Sequence, residues 1–257
     1  MNTLPLTLFW QLLRRDIQER YTGTVLGAAW LVIQPLLMLL VYALVFGEVL
    51  QLRFGEHHTD GQFAAYLFAG LMAFNALAEV VTRAPGLLVE RRELLLHSAL
   101  SPALLPLLPV AVSLGLEAIS LGLLLAWLLI HGQWQPWGWV FYLPFVVARL
   151  LLSLALSYWL AVLGVFLRDL RQLMPPLLGV LLLISAVVYP PELVPESLKV
   201  GLLLNPVAQL VQGYRDALLE GRFRWETWLG LMLLASGLLF AGRWLFQRLM
   251  PRVRYVL

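Results

Sequence analysis

Six apolar stretches, each near the length needed to cross a bilayer, leave this chain little freedom in what it can fold into. They run at roughly 25–50, 62–82, 104–130, 139–167, 173–190 and 227–249. A membrane-crossing helix needs about 20 apolar residues, and only helices or closed barrels satisfy their backbone groups inside lipid. The expected fold class is therefore an all-α integral membrane protein with six transmembrane helices. Composition agrees: 61% of the 257 residues are hydrophobic, 13% are charged and the mean hydropathy is +0.82. Soluble domains are about half apolar and a quarter charged. The first apolar run is too long for a signal-peptide core and has no small-residue cleavage site, so it is expected to be a span.

The basic residues set the expected orientation. With the N-terminus inside, Arg14, Arg15, Arg20, Arg83, Arg91, Arg92, Arg168, Arg171, Arg243, Arg248, Arg252 and Arg254 fall on the cytoplasmic side. Arg53, Lys199, Arg215, Arg222 and Arg224 fall outside, and Arg149 lies within a span. Twelve against five is a positive-inside bias that puts both termini in the cytoplasm. The loop HGQWQPWGW (131–139) has three Trp and no Lys or Arg, as an outer aromatic belt would.

Ahead of the first span, Leu6, Phe9, Trp10, Leu13, Ile17 and Tyr21 recur at spacings of three and four, opposite Thr7, Gln11, Arg14, Arg15 and Gln18. This pattern predicts an amphipathic helix over 1–23 lying in the membrane interface, ended by Gly23, with Thr24 able to cap the first span. A cytoplasmic loop over 83–98 carries Glu90, Arg91, Arg92 and Glu93. On the outer side, 190–225 is apolar in pieces too short to span and is broken by Pro190, Pro191, Pro195 and Pro206, which predicts short re-entrant or gate helices. The whole, 1–257, reads as one transmembrane domain.

Little in the chain points to catalysis. There is no cysteine, no GxxxxGK[ST] phosphate loop, no GxSxG and no HExxH. His57 and His58 adjoin, whereas His97 and His131 stand apart, too sparse a set for a metal site. Charges inside spans are expensive and therefore informative. Glu117 and Arg149 sit at matching depth in the third and fourth spans, and an ion pair between them is expected, with a direct transport role as the sharper alternative. Aromatic residues, among them Trp30, Tyr42, Phe46, Tyr66, Phe74, Tyr158, Trp159 and Tyr189, are the candidate lining of a sugar pathway, because a ring offers its face to the C–H face of a pyranose.

The order of RRDIQERYTGTVLGAAWLVIQPLLMLLVYALVFG (14–47), FLRDLRQLMPPLLGVLLLISAVVYPPELVP (166–195) and LNPVAQLVQGYRDALLEG (204–221) resembles the membrane subunits of type-2 ABC exporters that move bacterial polysaccharides: O-antigen, capsule and teichoic acid permeases. The matching positions are Tyr21, Leu26, Gly27, Trp30, Pro35 and Leu36, then Arg168 and Asp169, then Asn205, Pro206, Arg215 and Gly221. Where that family often has Ser-Pro before an outer tyrosine, this chain has Ser185 and Ala186.

The resemblance implies a channel made by two copies of the chain in the bacterial cytoplasmic membrane, with two copies of a separate ABC ATPase beneath it. That partner would hold ATP and Mg, leaving this chain without a cofactor, and nucleic acid is not an expected partner. The loop at Glu90, Arg91, Arg92 and Glu93 would couple to the ATPase. Asn205, Pro206, Tyr214 and Arg215 would belong to the outer gate. Arg14, Arg15 and Arg20 would face the diphosphate of a lipid-linked glycan or ordinary lipid headgroups. A permease for drugs or small lipids shares this architecture, and a membrane enzyme acting on lipid-linked sugars is the remaining alternative.

Overall fold

The structure, a computed structural model, describes residues 4–45, 62–97 and 101–256, and every regular element among them is helical. The α-helices are α1 (Leu4–Tyr21), α2 (Trp30–Tyr42), α3 (Gln62–Arg83), α4 (Leu87–Glu90), α5 (Arg92–His97) and α6 (Leu107–Ile130). They continue with α7 (Gly138–Phe166), α8 (Leu170–Ile184), α9 (Glu196–Leu204), α10 (Pro206–Glu220) and α11 (Trp225–Val256). Phe46, His57 and His58 lie outside the described residues.

Among the described residues, five stretches are long and apolar enough to cross a membrane: Gly27–Val45, Gln62–Glu90, Pro102–Ile130, Gly138–Phe166 and Trp225–Val253. The stretch expected as a further span, 173–190, overlaps the 15-residue α8, which begins at Leu170 and ends at Ile184. At 1.5 Å per residue that helix is about 22 Å long, short of a hydrocarbon core of roughly 30 Å. It stops at Ser185, and Ala186 then adopts φ +49°. Proline, locked near −65°, could not occupy that conformation, so the departure from Ser-Pro in sequence has a backbone counterpart.

Side-chain contacts give the helix directions. Trp228 Nε1 donates to the Pro144 carbonyl at 3.0 Å, Trp159 Nε1 to the Leu238 carbonyl at 3.0 Å, and Tyr158 packs edge-on against Phe246. The partners of α7 and α11 thus ascend together, and the two helices run parallel. The intervening segment has to return along the bundle. Helix α8 makes that return: Arg171 near its start pairs with Glu90, whereas Ala186 and Val187 beyond its end meet Arg215. Helix α6 runs antiparallel to α7, since Tyr158 and Ser157 donate to the carbonyls of Ala103 and Pro106 while Arg149 meets Glu117.

Two apolar clusters divide the molecule. One joins Leu12 of α1, Leu88 of α4, Leu95 of α5, Val162 of α7 and Phe246 and Val253 of α11, so α1 and the end of α11 share one end of the bundle, here the proximal end. The larger cluster packs α3, α7, α10 and α11 through residues such as Phe68, Phe145, Tyr214 and Leu231. Close approach explains two glycines: a Cβ on Gly164 would strike the Pro85 carbonyl, and one on Gly213 would strike the Phe145 ring.

One local expectation is corrected. Thr24 does not cap α2, because Gly27 (φ +51°) starts a 3-10 turn and α2 begins only at Trp30. The face of α1 turned to the protein centres on Leu12, with Leu8, Phe9 and Leu13 beside it. Trp10 is 61% exposed instead, free to lie in an interface as amphipathic surface helices do.

Candidate functional site

Helices α2, α3 and α6 enclose an open cavity of about 710 Å³. On α2, Trp30, Gln34, Met38 and Tyr42 line it at a constant spacing of four, which puts them on one helix face. From α3 come Phe68, Asn75, Glu79 and Arg83, and from α6 Glu117 and Ser120. The wall is mostly apolar, with rings at Trp30, Tyr42 and Phe68 and hydrogen-bonding groups set among aliphatic side chains such as Leu71 and Met72.

Of the aromatic residues named as candidate pathway lining, Trp30 and Tyr42 border this cavity, as does Phe68 of the wider aromatic set, whereas Tyr66, Phe74, Tyr158, Trp159 and Tyr189 do not. Phe74 is buried in the core. Tyr66 lies under the Arg215 guanidinium, 3.7 Å from its ring centre. The Tyr158 and Tyr189 hydroxyls donate to the carbonyls of Ala103 and Leu183, and Trp159 is held by the Leu238 carbonyl. Periodicity could not separate these roles, since a ring facing a cavity and one facing a neighbouring helix recur with the same spacing.

At the back of the cavity Glu117 enters a buried polar network. Its carboxylate pairs with Arg149 and accepts from Tyr142 at 2.8 Å and from Tyr214. Arg149 also donates to Ser113 Oγ at 2.9 Å, and both charges are almost wholly buried. The network ties α6, α7 and α10 together. Its two tyrosines, packed edge-on with ring centres 4.8 Å apart, were not anticipated in this role.

Next to Tyr214 on α10, Arg215 is buried and its hydrogen bonds go to carbonyls and a tyrosine hydroxyl. It donates to the Tyr66 carbonyl and hydroxyl at 3.1 and 3.0 Å, to the Ala186 carbonyl at 3.0 Å and to the Val187 carbonyl at 2.5 Å. Burial lowers its pKa to about 10, still well above neutrality. Gly70 leaves room for it: a Cβ there would meet Arg215 Nη2 at 2.6 Å. Asn205 caps α10, accepting from the Val207 and Ala208 amides and donating to Ser185 Oγ, with Pro206 in the first turn. Burial raises the Asp216 carboxyl, and Arg224 at 2.6 Å opposes that rise. These contacts fasten α10 to α3 and to the turn after α8.

The proximal end carries a different set of charges. Asp16 of α1 accepts from Arg83 at 2.9 Å and from Arg91 at 2.6 Å, and Glu79 pairs with Arg83 at 2.6 Å. Glu90 meets Arg171 of α8 at 2.7 Å. Of the loop charges expected to face a partner, Arg91 is thus turned inward, Glu90 is shared with α8, and Arg92 and Glu93 are exposed. Arg14 is exposed, Arg15 pairs with Glu19 at 2.5 Å, and the hydrogen bond from Arg15 lowers the Glu19 pKa. The side chain of Arg20 is outside the described set. Asp16 was missed in sequence, although an acid next to Arg14 and Arg15 on the first helix is the available signal.

The family described as ABC-2 type transporter matches residues 7–219. The chain belongs to that family. This ABC-2 chain is 29% identical over 243 residues to the O-antigen export system permease protein RfbA of Myxococcus xanthus, covering 93% of the chain and 91% of that protein. A protein of the same name from Klebsiella pneumoniae is 22% identical over 247 residues, 95% and 92% of the two chains. The polysialic acid transport protein KpsM of Escherichia coli is 26% identical over 212 residues, 80% and 79% of the two. The resemblance to polysaccharide-exporting ABC permeases read from the sequence thus stands.

Proposed function

We propose that this chain is the channel-forming subunit of an ATP-driven exporter that moves a lipid-linked polysaccharide across the bacterial cytoplasmic membrane. The observation that carries this reading is similarity to O-antigen export permeases along almost the full length of both chains. Two copies would form the conduit. A separate ABC ATPase, also in two copies, would supply the hydrolysis, binding ATP and Mg itself. Both termini and the α4–α5 loop would face the cytosol, where the exposed Arg92 and Glu93 are placed to meet the ATPase. Arg14 and Arg15 would sit beside lipid headgroups or the glycan's diphosphate, for which arginine is well suited.

Deleting the gene in its host while leaving the partner ATPase intact tests the reading. Surface polysaccharide is expected to disappear and lipid-linked glycan to accumulate inside the cell. Unchanged surface polysaccharide would reject it.

A further inference from the structure

The amides of Asn75 and Gln34 are unusual among the span residues. Positions 63–74 of α3 are buried except for the half-buried Tyr66, yet Asn75 is exposed to the cavity between α2, α3 and α6. Gln34 faces the same cavity from α2. Neither amide has a hydrogen-bond partner among the described residues. Each can donate twice and accept once or more. Both amides are exposed in an open cavity, so their donors and acceptors are available to a hydrogen-bonding occupant that takes the place of water there.

Their setting narrows that occupant's chemistry. Asn75, Glu79 and Arg83 follow one another at intervals of four on α3, rising about 6 Å per step from the proximal end. Across the cavity, the α2 face presents Trp30, Gln34, Met38 and Tyr42. Ser120 adds a hydroxyl from α6. A purely apolar cargo would gain nothing from these amides, and a cation or anion would meet a mixed wall in which Glu79 and Arg83 already pair. A neutral polyol, with hydroxyls at its edge and C–H groups on its faces, suits both components.

We infer that Gln34 and Asn75, with Ser120 beside them, form a hydroxyl-binding wall that passes a sugar polymer along the cavity by exchanging hydrogen bonds. This rests on the function proposed above and adds which residues touch the cargo. Two neutral hydrogen bonds in place of strong ion pairs hold the polymer weakly, as a conduit requires.

The test pairs export with accessibility, in a strain that lacks its own copy of the chain and keeps the partner ATPase. The double variant Gln34→Leu/Asn75→Leu, at wild-type membrane level and with wild-type co-purification of the ATPase, is expected to lower surface polysaccharide about tenfold. Gln34→Asn/Asn75→Gln is expected to restore most of it. Full export by the leucine variant overturns the wall and leaves the proposed function standing. If the wild-type chain restores no surface polysaccharide, the function and the wall both fail.

Because the chain has no cysteine, a single thiol reports wetness without relying on transport. In membranes, Asn75→Cys and Gln34→Cys should react with a water-soluble maleimide far faster than Phe74→Cys, whose parent side chain is buried. Equal, slow labelling at all three positions would show a dry wall and overturn the inference, including where the leucine variant fails to fold.

Discussion

The proximal cluster around Asp16 and the buried network around Glu117 use the same chemistry, carboxylate to guanidinium, in opposite surroundings. Asp16 meets Arg83 and Arg91 where all three side chains retain some exposure, from 11% to 32%. Glu117 and Arg149 are almost wholly withdrawn, with side-chain exposures of 1% and 0%. Water shares the burden at the first site. At the second, the protein alone balances the charge, through Tyr142, Tyr214 and Ser113. The contrast assigns different work to each: the proximal cluster holds α1 against α3 and the α4–α5 turn, whereas the buried network fixes α6, α7 and α10 in one register.

The largest expected effect comes from breaking the buried pair on one side. Arg149→Leu removes the buried partner of Glu117 and should cost about 3–5 kcal/mol, read as a large fall in thermal stability in detergent. The neutral pair Glu117→Gln/Arg149→Met keeps an acceptor for both tyrosines and should recover much of that loss. If the single variant is as stable as the parent, the network does not carry the register.

At the proximal end the change should be smaller. Asp16→Ala is expected to cost about 1 kcal/mol and to raise hydrogen exchange in α1 without altering the spans. Combined with Arg91→Ala it should be less than additive, because the two remove one interaction. Strict additivity would separate α1 from the loop.

The smallest effect belongs to Arg15→Ala. Its pair with Glu19 joins side chains that are 67% and 51% exposed, and exposed pairs of this kind contribute about 0.5 kcal/mol or less. A clear destabilisation there would mean that exposure is a poor guide to strength at this end.

Legibility in the sequence followed the same division. Run length and charge bias announced a helical membrane protein, because lipid imposes those constraints on every segment independently. Glu117 and Arg149 were readable as a pair because each is alone in its span and depth follows from counting. Tyr142 and Tyr214 were not, since their distance from Glu117 depends on how α7 and α10 pack. The aromatic residues were overread for the same reason: Phe74 and Trp159 sit in apolar spans as Trp30 and Tyr42 do, but one is packed in the core and the other is bonded to α11. Asn75 and Gln34 carried a signal that was passed over, a lone amide in an apolar run. The end of α8 was also hidden, because the left-handed turn at Ala186 has no glycine to mark it.

Reconstitution tests the central claim most directly. Vesicles containing this chain, its partner ATPase and a lipid-linked glycan would be supplied with ATP on the ATPase side, and a glycosidase would probe the opposite face. The account predicts that glycan becomes digestible there only when chain, ATPase and ATP are all present. Nucleotide hydrolysis by the chain alone, or glycan that stays protected in the complete system, would contradict it.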